Sequence, residues 1–203
     1  MSMYLCCFRH LCGESPQSHI PIKISPSIVL DTGYIGHEVV IVKNGMRICG
    51  TGAALGNTPI LQNKAYFEVK LQQTGNKLNI ESWGVGISTR NANLNKVPLG
   101  DDNQSWVLCS DNSIRHNSEE KHKISVTPQE GDVIGVTFDH VELNFFINGK
   151  STHTPVTGFK GTIYPVLFVD DGAVLDAVFD NFSYGPPPGY DGIMIEKSLL
   201  END

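Results

Sequence analysis

The chain has 203 residues, 40% of them hydrophobic, which is enough for one domain with a real core. A net charge of −7 and a pI near 5.4 argue against a phosphate-tracking surface, so no nucleic-acid partner is expected. The five cysteines, Cys6, Cys7, Cys12, Cys49 and Cys109, are odd in number and crowd the start, which is no disulfide framework.

No apolar run approaches the roughly 20 residues of a membrane-spanning helix, and the start lacks a signal peptide. A reducing, cytoplasmic setting follows as the expectation. The sequons at Asn103-Gln104-Ser105 and Asn181-Phe182-Ser183 are then chance matches, because glycosylation requires secretion. Residues 1–19, broken by Gly13 and Pro16, read as a tail, residues 20–190 as one domain and residues 191–203 as a C-terminal segment. Cys6, Cys7 and Cys12, interleaved with Leu5, Phe8 and Leu11, are candidates for reversible palmitoylation that would tether the domain peripherally to a membrane; unmodified thiols are the plain alternative. With His10 they lack the paired spacing of a zinc site, and no metal is expected.

β-branched residues dominate from Ser27 to Asp31 and from Val39 to Gly50. Lys43-Asn44-Gly45-Met46 closes a hairpin that pairs Ile41 with Ile48 and Val40 with Cys49, and Cys49 should be a buried, inert thiol. Gly50 to Gly56 has the wrong spacing for a nucleotide motif and reads as a glycine-permitted loop. Ala65 to Leu71 alternates, with Phe67, Val69 and Leu71 inward and Tyr66, Glu68 and Lys70 toward water, as in an outer strand. Gln72 to Ser82 is a polar connection before Trp83 restarts strand structure. A long loop from Asn91 to Asn103 carries Pro98, Gly100 and Asp101-Asp102; strands resume from Ser105 to Cys109 and from Ser113 to His116, and Ser118 to Gln129 is a further polar connection.

The stretch Glu130 to Lys150 reads as two strands folding across Asp139-His140, so that Phe138 faces Val141, Val136 faces Leu143 and Ile134 faces Phe145. Thr137 with Glu142 and Gly135 with Asn144 lie on the opposite, wetter face, beside Val133 and Phe146. Asn148-Gly149 then turns the chain into a third strand from Lys150 to Thr154. Two more strands, Ile163 to Val169 and Val174 to Phe179, are joined through Asp170-Asp171-Gly172. About eleven or more short strands, with no helix-length amphipathic run, predict an all-β, two-sheet antiparallel sandwich with little helix.

Four stretches in this order resemble the SPRY domain family: Tyr66-Phe67-Glu68-Val69, Trp83-Gly84-Val85-Gly86-Ile87, Gly131 to Val136 with Asp139 and Leu143 to Gly149, and Tyr164-Pro165-Val166. The exit Pro186-Pro187-Pro188-Gly189-Tyr190 and the Cys-rich start extend the resemblance to a small stand-alone member over nearly the whole chain. It implies a non-catalytic adaptor that holds protein or peptide segments in loops at one end of the sandwich, without a cofactor. In the branch coupled to ubiquitin-ligase recruitment, the late Tyr-Pro strand leads into a Val-Trp-Gly that helps to hold an Asn-rich peptide. Here those positions are Asp170, Asp171 and Gly172, and the loop ending at Leu99-Gly100 lacks that branch's tyrosine, which argues against that ligand.

The expected protein-binding residues are therefore Leu99, Asp101, Asp102, Asp170, Asp171 and Gly172. If the four carboxylates share one rim, their field favours a basic segment in the partner; otherwise Asp171-Gly172 simply makes the turn. The alternative is a scaffold that binds through a sheet face around Phe146 and Val133, and a less favoured one is a hydrolase. Catalytic candidates are thin: Asp139-His140 sits at a turn, His116 and His122 lack helical spacing, and Asp101-Asp102-Asn103 lacks the alternating ligands of a calcium loop.

Overall fold

In the computed structural model, which describes residues 27–76 and 81–195, strands form wherever apolar and β-branched residues alternate or run together. They are β1 (Leu30–Ile35), β2 (Glu38–Val42), β3 (Arg47–Gly56), β4 (Ala65–Thr74), β5 (Trp83–Ser88), β6 (Ser105–Cys109), β7 (Ser113–His116), β8 (Glu119–Lys123), β9 (Val133–Phe138), β10 (Leu143–Ile147), β11 (Lys150–Ser151), β12 (Tyr164–Val169), β13 (Ala173–Val178) and β14 (Asp191–Gly192). No helix occurs among the described residues. Eleven strands lie on one hydrogen-bonded path, β11-β10-β9-β4-β13-β3-β12-β5-β6-β7-β8, as a curled antiparallel sheet. β1 and β2 flank β3, and β14 pairs parallel to β4.

β3 is the joint of the curl. Arg47 and Ile48 pair with β13, whereas Gly52 to Leu55 pair with β12, so a single strand serves both arms. The change of direction falls at Gly50 and Gly52, whose φ values are +94° and +130°. A Cβ on Gly50 would lie 2.1 Å from the Glu38 carbonyl oxygen, so neither the backbone nor the space there suits another residue. The Gly50 to Gly56 stretch is thus a strand with a bend, not the loop expected from its glycines.

The two arms enclose one main core. Ile48, Phe67, Val69 and Leu71 come from one arm, Trp83, Val85, Ile87 and Leu167 from the other. Each such large side chain contributes roughly 1.5 to 3 kcal/mol on burial, before the entropy of ordering the chain opposes it.

The central hairpin keeps the expected inward faces but not the expected register. Leu143 pairs with Phe138, Phe145 with Val136 and Ile147 with Ile134, a shift of two residues that leaves Val141 outside at 67% exposure. On the other face Thr137 pairs with Asn144 and Gly135 with Phe146. Both favoured two-residue turns need positive φ at the first central residue, here Asp139, and only His140 has it, at +67°. A longer loop instead lets the Asp139 carboxylate accept the Val141 and Glu142 amides at 3.1 and 2.7 Å. The third strand, β11, is shorter than expected.

The β2–β3 hairpin has the expected register, Ile41 opposite Ile48 and Val40 opposite Cys49. Cys49 is half-buried there and its thiol donates weakly to the Val40 carbonyl at 3.6 Å, whereas Cys109 is fully buried and burial pushes its thiol far up. β8 occupies part of the expected polar connection after Ser118: it is an edge strand whose five residues are all exposed, and its charges blunt the open edge. β4 is not an outer strand facing water. It lies between β9 and β13, and Tyr66 and Glu68 on its supposedly wet face are buried.

The exit segment covers that face. Tyr66 packs edge-on against Phe182 at 5.1 Å and donates its hydroxyl to Glu68 at 2.8 Å; burial, then this bond, raises the tyrosine's pKa. The Glu68 carboxylate also accepts the amides of Ser183, Tyr184 and Gly185 at 2.7, 2.9 and 3.1 Å. A carboxylate is buried where four donors replace its water. Packed structure continues through Ile193, with Gln62 bridging the Gly192 carbonyl and the Met194 amide.

Candidate functional site

Three adjacent strands, β6, β5 and β12, set the positions of the loops where binding residues were expected. Ser88 pairs with both Ser105 and Tyr164, so β5 ends where β6 and β12 begin. At the opposite end, Trp83 pairs with Val169, and Gly84 with Cys109.

Asp170, Asp171 and Gly172 lie beyond Val169 at that second end. The Asp170 amide donates to the Ser82 carbonyl at 2.7 Å, and its carboxylate accepts the Thr51 hydroxyl at 3.0 Å. Asp171 and Gly172 are exposed, with φ of +50° and +84°. This left-handed pair closes the turn to β13, and the Ala173 amide returns to the Asp170 carbonyl at 3.0 Å. Glu81 and Asp111 at the same end are both paired with Arg115, the latter at 2.5 Å. Burial would raise the Asp111 pKa, but bonds from Ser113 and Arg115 outweigh it and hold this carboxyl below its usual value.

Leu99, Asp101 and Asp102 belong elsewhere. Their loop folds over the outside of the sheet, where the Leu94 carbonyl accepts the Ala53 amide at 2.9 Å. Leu99 is only 2% exposed, packed in a second, smaller core with Leu55, Val107, Val166 and Phe168, so it supports the loop and offers no contact surface. Asp102 accepts the amide and hydroxyl of Ser105 at 3.0 and 2.8 Å, a turn-holding role. Asp101 is exposed and 3.5 Å from Lys96. Because Ser105 aligns with the start of β12 and Asp170 follows its end, the two acidic pairs are separated by roughly 17 to 20 Å along the strands. The structure does not bring the four carboxylates to one rim.

At the β12 start, where no sequence motif marks a site, the loops form a polar cleft of about 460 Å³ lined by Thr89, Arg90, Gln104, Lys160, Thr162 and Tyr164 among others. The Arg90 guanidinium carbon lies 4.2 Å from the ring centre of Tyr34 and 4.6 Å from that of Tyr164.

The alternative sheet face offers less. Val133 is buried, Phe146 half-buried, and Tyr184 of the exit segment lies against Gly149 next to them. Among the described residues no three His, Cys, Asp or Glu side chains gather as metal ligands, and no helix is long and apolar enough to cross a membrane. Asp139 is occupied by its own loop and by the Tyr190 hydroxyl at 3.1 Å, while His140 binds the Gln62 carbonyl at 2.9 Å. His116 stacks on Trp106 at 4.2 Å, and its Nδ1 lies 2.9 Å from the Ser105 carbonyl oxygen. Cys6, Cys7 and Cys12 lie outside the described residues.

Comparison with known proteins agrees with this architecture. The SPRY domain model matches residues 64–182. SPRY domain-containing protein 7 of Homo sapiens is 49% identical over 198 residues, covering 97% of this chain and 97% of that protein. Its Gallus gallus counterpart is 50% identical over 197 residues, covering 96% and 97%. Among solved structures, the SPRY domain of human HERC1 superposes with a TM-score of 0.60 at 18% identity, over 75% of this chain and 99% of that one. The TRIM65 PSpry domain gives 0.60 at 14% identity, over 76% and 90%.

Proposed function

This chain belongs to the SPRY domain family, and on that premise we propose that it is a non-catalytic adaptor module that captures a partner protein or peptide at the Asp170–Gly172 end of its β-sandwich, the two arms of the curled sheet being the two layers. The observation that carries the reading is the exposed left-handed Asp171-Gly172 turn, presented by the fully buried strand β12. A rigid strand ending in an exposed turn is how a β-domain offers a preorganised contact. Asp171 is the carboxylate turned to solvent there, so the partner segment is basic; such a pair steers the encounter more than it adds affinity, since exposed ion pairs contribute about 0 to 1 kcal/mol. Leu99, Asp101 and Asp102 lie outside this contact, Leu99 serving only as packing in the second core.

The net charge of −7 disfavours nucleic acid. A scaffold acting through the sheet face around Phe146 is less favoured, because the chain's own exit segment occupies that side. The hydrolase reading lacks a convergent acid, base and nucleophile. The module, from residue 20 to 190 with its packed continuation, works in the cytoplasm, where Cys6, Cys7 and Cys12 of the 1–19 tail are the candidate acyl tether.

The test is affinity purification of the intact chain from its native cells, in parallel with the double variant Asp170→Lys, Asp171→Lys. The expected result is loss of the partner from a variant that still melts cooperatively, at a temperature lowered by the missing Asp170–Thr51 bond. Equal partner recovery with a folded double variant sinks this end of the domain as the binding site.

A further inference from the structure

We propose a second binding site, at the β12 start and centred on Arg90, that takes a carboxylate of an acidic peptide. It lies at the opposite end of the sheet from Asp171, has the opposite charge, and does not rest on the function proposed above.

The site is built by topology. Because β5 ends at Ser88 while β6 and β12 begin beside it, the segments Thr89 to Asn91, Asn103-Gln104 and Lys160 to Thr162 converge on one cleft. Arg90 and Lys160 are its charged lining residues, and no carboxylate is among those that line it. Two tyrosine rings hold the guanidinium by contact with its carbon at 4.2 and 4.6 Å, so much of the rotamer freedom of a long side chain is already lost before any ligand arrives.

What the rings do not satisfy is the guanidinium's hydrogen-bonding capacity. Arginine carries five N–H donors. Among the described residues none of those of Arg90 has a hydrogen-bonded acceptor, and the neighbouring carboxylate of Asp31 stands 3.9 Å away, beyond hydrogen-bond reach. A held, planar fork with open donors beside a polar cleft fits a carboxylate, which accepts two parallel N–H bonds from one guanidinium. Lys160 supplies a second cation for a neighbouring acidic residue, and Thr162 offers a hydroxyl to a peptide backbone, while the Gln104 amide is held by Thr89 and Asn103. The net charge of −7 repels polyanions at long range, so an acidic peptide that binds must do so through a local site of this kind.

The experiment titrates the isotope-labelled full chain with a hexaglutamate peptide and, separately, with hexaglutamine, following the Arg90 side-chain Nε–H and the backbone amides by NMR. Saturable shifts at Arg90 Nε, Gln104 and Gly161 are expected with hexaglutamate alone, with Gly172 unmoved. Arg90→Lys, which keeps the charge but loses the fork, should weaken binding about tenfold or more. Lys160→Gln, on an exposed side chain, should weaken it about threefold or more, and decides the matter if the arginine variant does not fold. The Asp170→Lys, Asp171→Lys variant should bind hexaglutamate as the parent does, which separates this site from the other end. An unmoved Arg90 signal at millimolar hexaglutamate, equal binding by a folded Arg90→Lys variant, or shifts confined to another surface would overturn the proposal. A hexapeptide with phosphoserine in place of glutamate that binds the same residues about tenfold more tightly would overturn the carboxylate assignment in favour of phosphate.

Discussion

Buried in β13 at 4% side-chain exposure, Asp176 takes hydrogen bonds from Arg47 at 2.5 and 2.9 Å, Lys43 at 2.7 Å and Gln72 at 3.1 Å. Burial alone would raise its pKa, but the bonds from Arg47 and Lys43 outweigh it and hold the carboxyl below its usual value. A group depressed by folding stabilises the fold above its unfolded pKa, about 3.9 for aspartate, and that contribution fades as pH falls through the lower folded value. Asp176→Asn should therefore cost about 1.5 to 3 kcal/mol at pH 7 in urea unfolding, and the gap between parent and variant should close as pH falls below about 4. A gap that stays constant down to pH 2 would mean that the ionised form gains nothing from its partners.

The hairpin of β9 and β10 tests register at the scale of an element. Leu143→Ala should cost about 2 to 5 kcal/mol because the side chain is fully buried opposite Phe138. Val141→Ser should stay within about 0.5 kcal/mol, since that side chain stands in solvent. Comparable losses for both variants would restore the two-residue turn. The inward faces were legible because side chains alternate with a period of two, and a shift of two residues preserves the face while changing every partner. The loop length was not legible, since it depends on which amides the Asp139 carboxylate captures once the chain has folded. β8 was missed because a charged edge strand and a polar loop have the same composition. Apolar Ala92, Leu94 and Leu99 within the long loop were the available sign that it packs on the sheet instead of projecting from it. The cluster of Tyr34, Arg90 and Tyr164 left no local pattern at all: its members meet only through the order of β1, β3, β12 and β5 in space.

At the scale of the whole molecule, the family match over residues 64–182 omits both β3 and the segment that satisfies Glu68. A chain cut to those residues loses the strand between β12 and β13, and leaves the Glu68 carboxylate without three of its donors. It should be unfolded, with collapsed amide dispersion by NMR, whereas residues 27–195 should give a spectrum like that of the full chain. Native-like dispersion from the shorter piece would show that the curl closes without its joint. β3 also has a place in time. It leaves the ribosome roughly 110 residues before Tyr164, the first residue of its partner β12. At about 5 to 20 residues per second, that is on the order of ten seconds of translation. During this interval β1 and β2 can already pair with it locally, but its other edge, with Ala53, Ala54 and Leu55, has no native partner yet. Until then the nascent chain carries an unpaired strand edge, the feature that invites aggregation, and synthesis of β12 sets the earliest moment at which that edge of β3 can be covered.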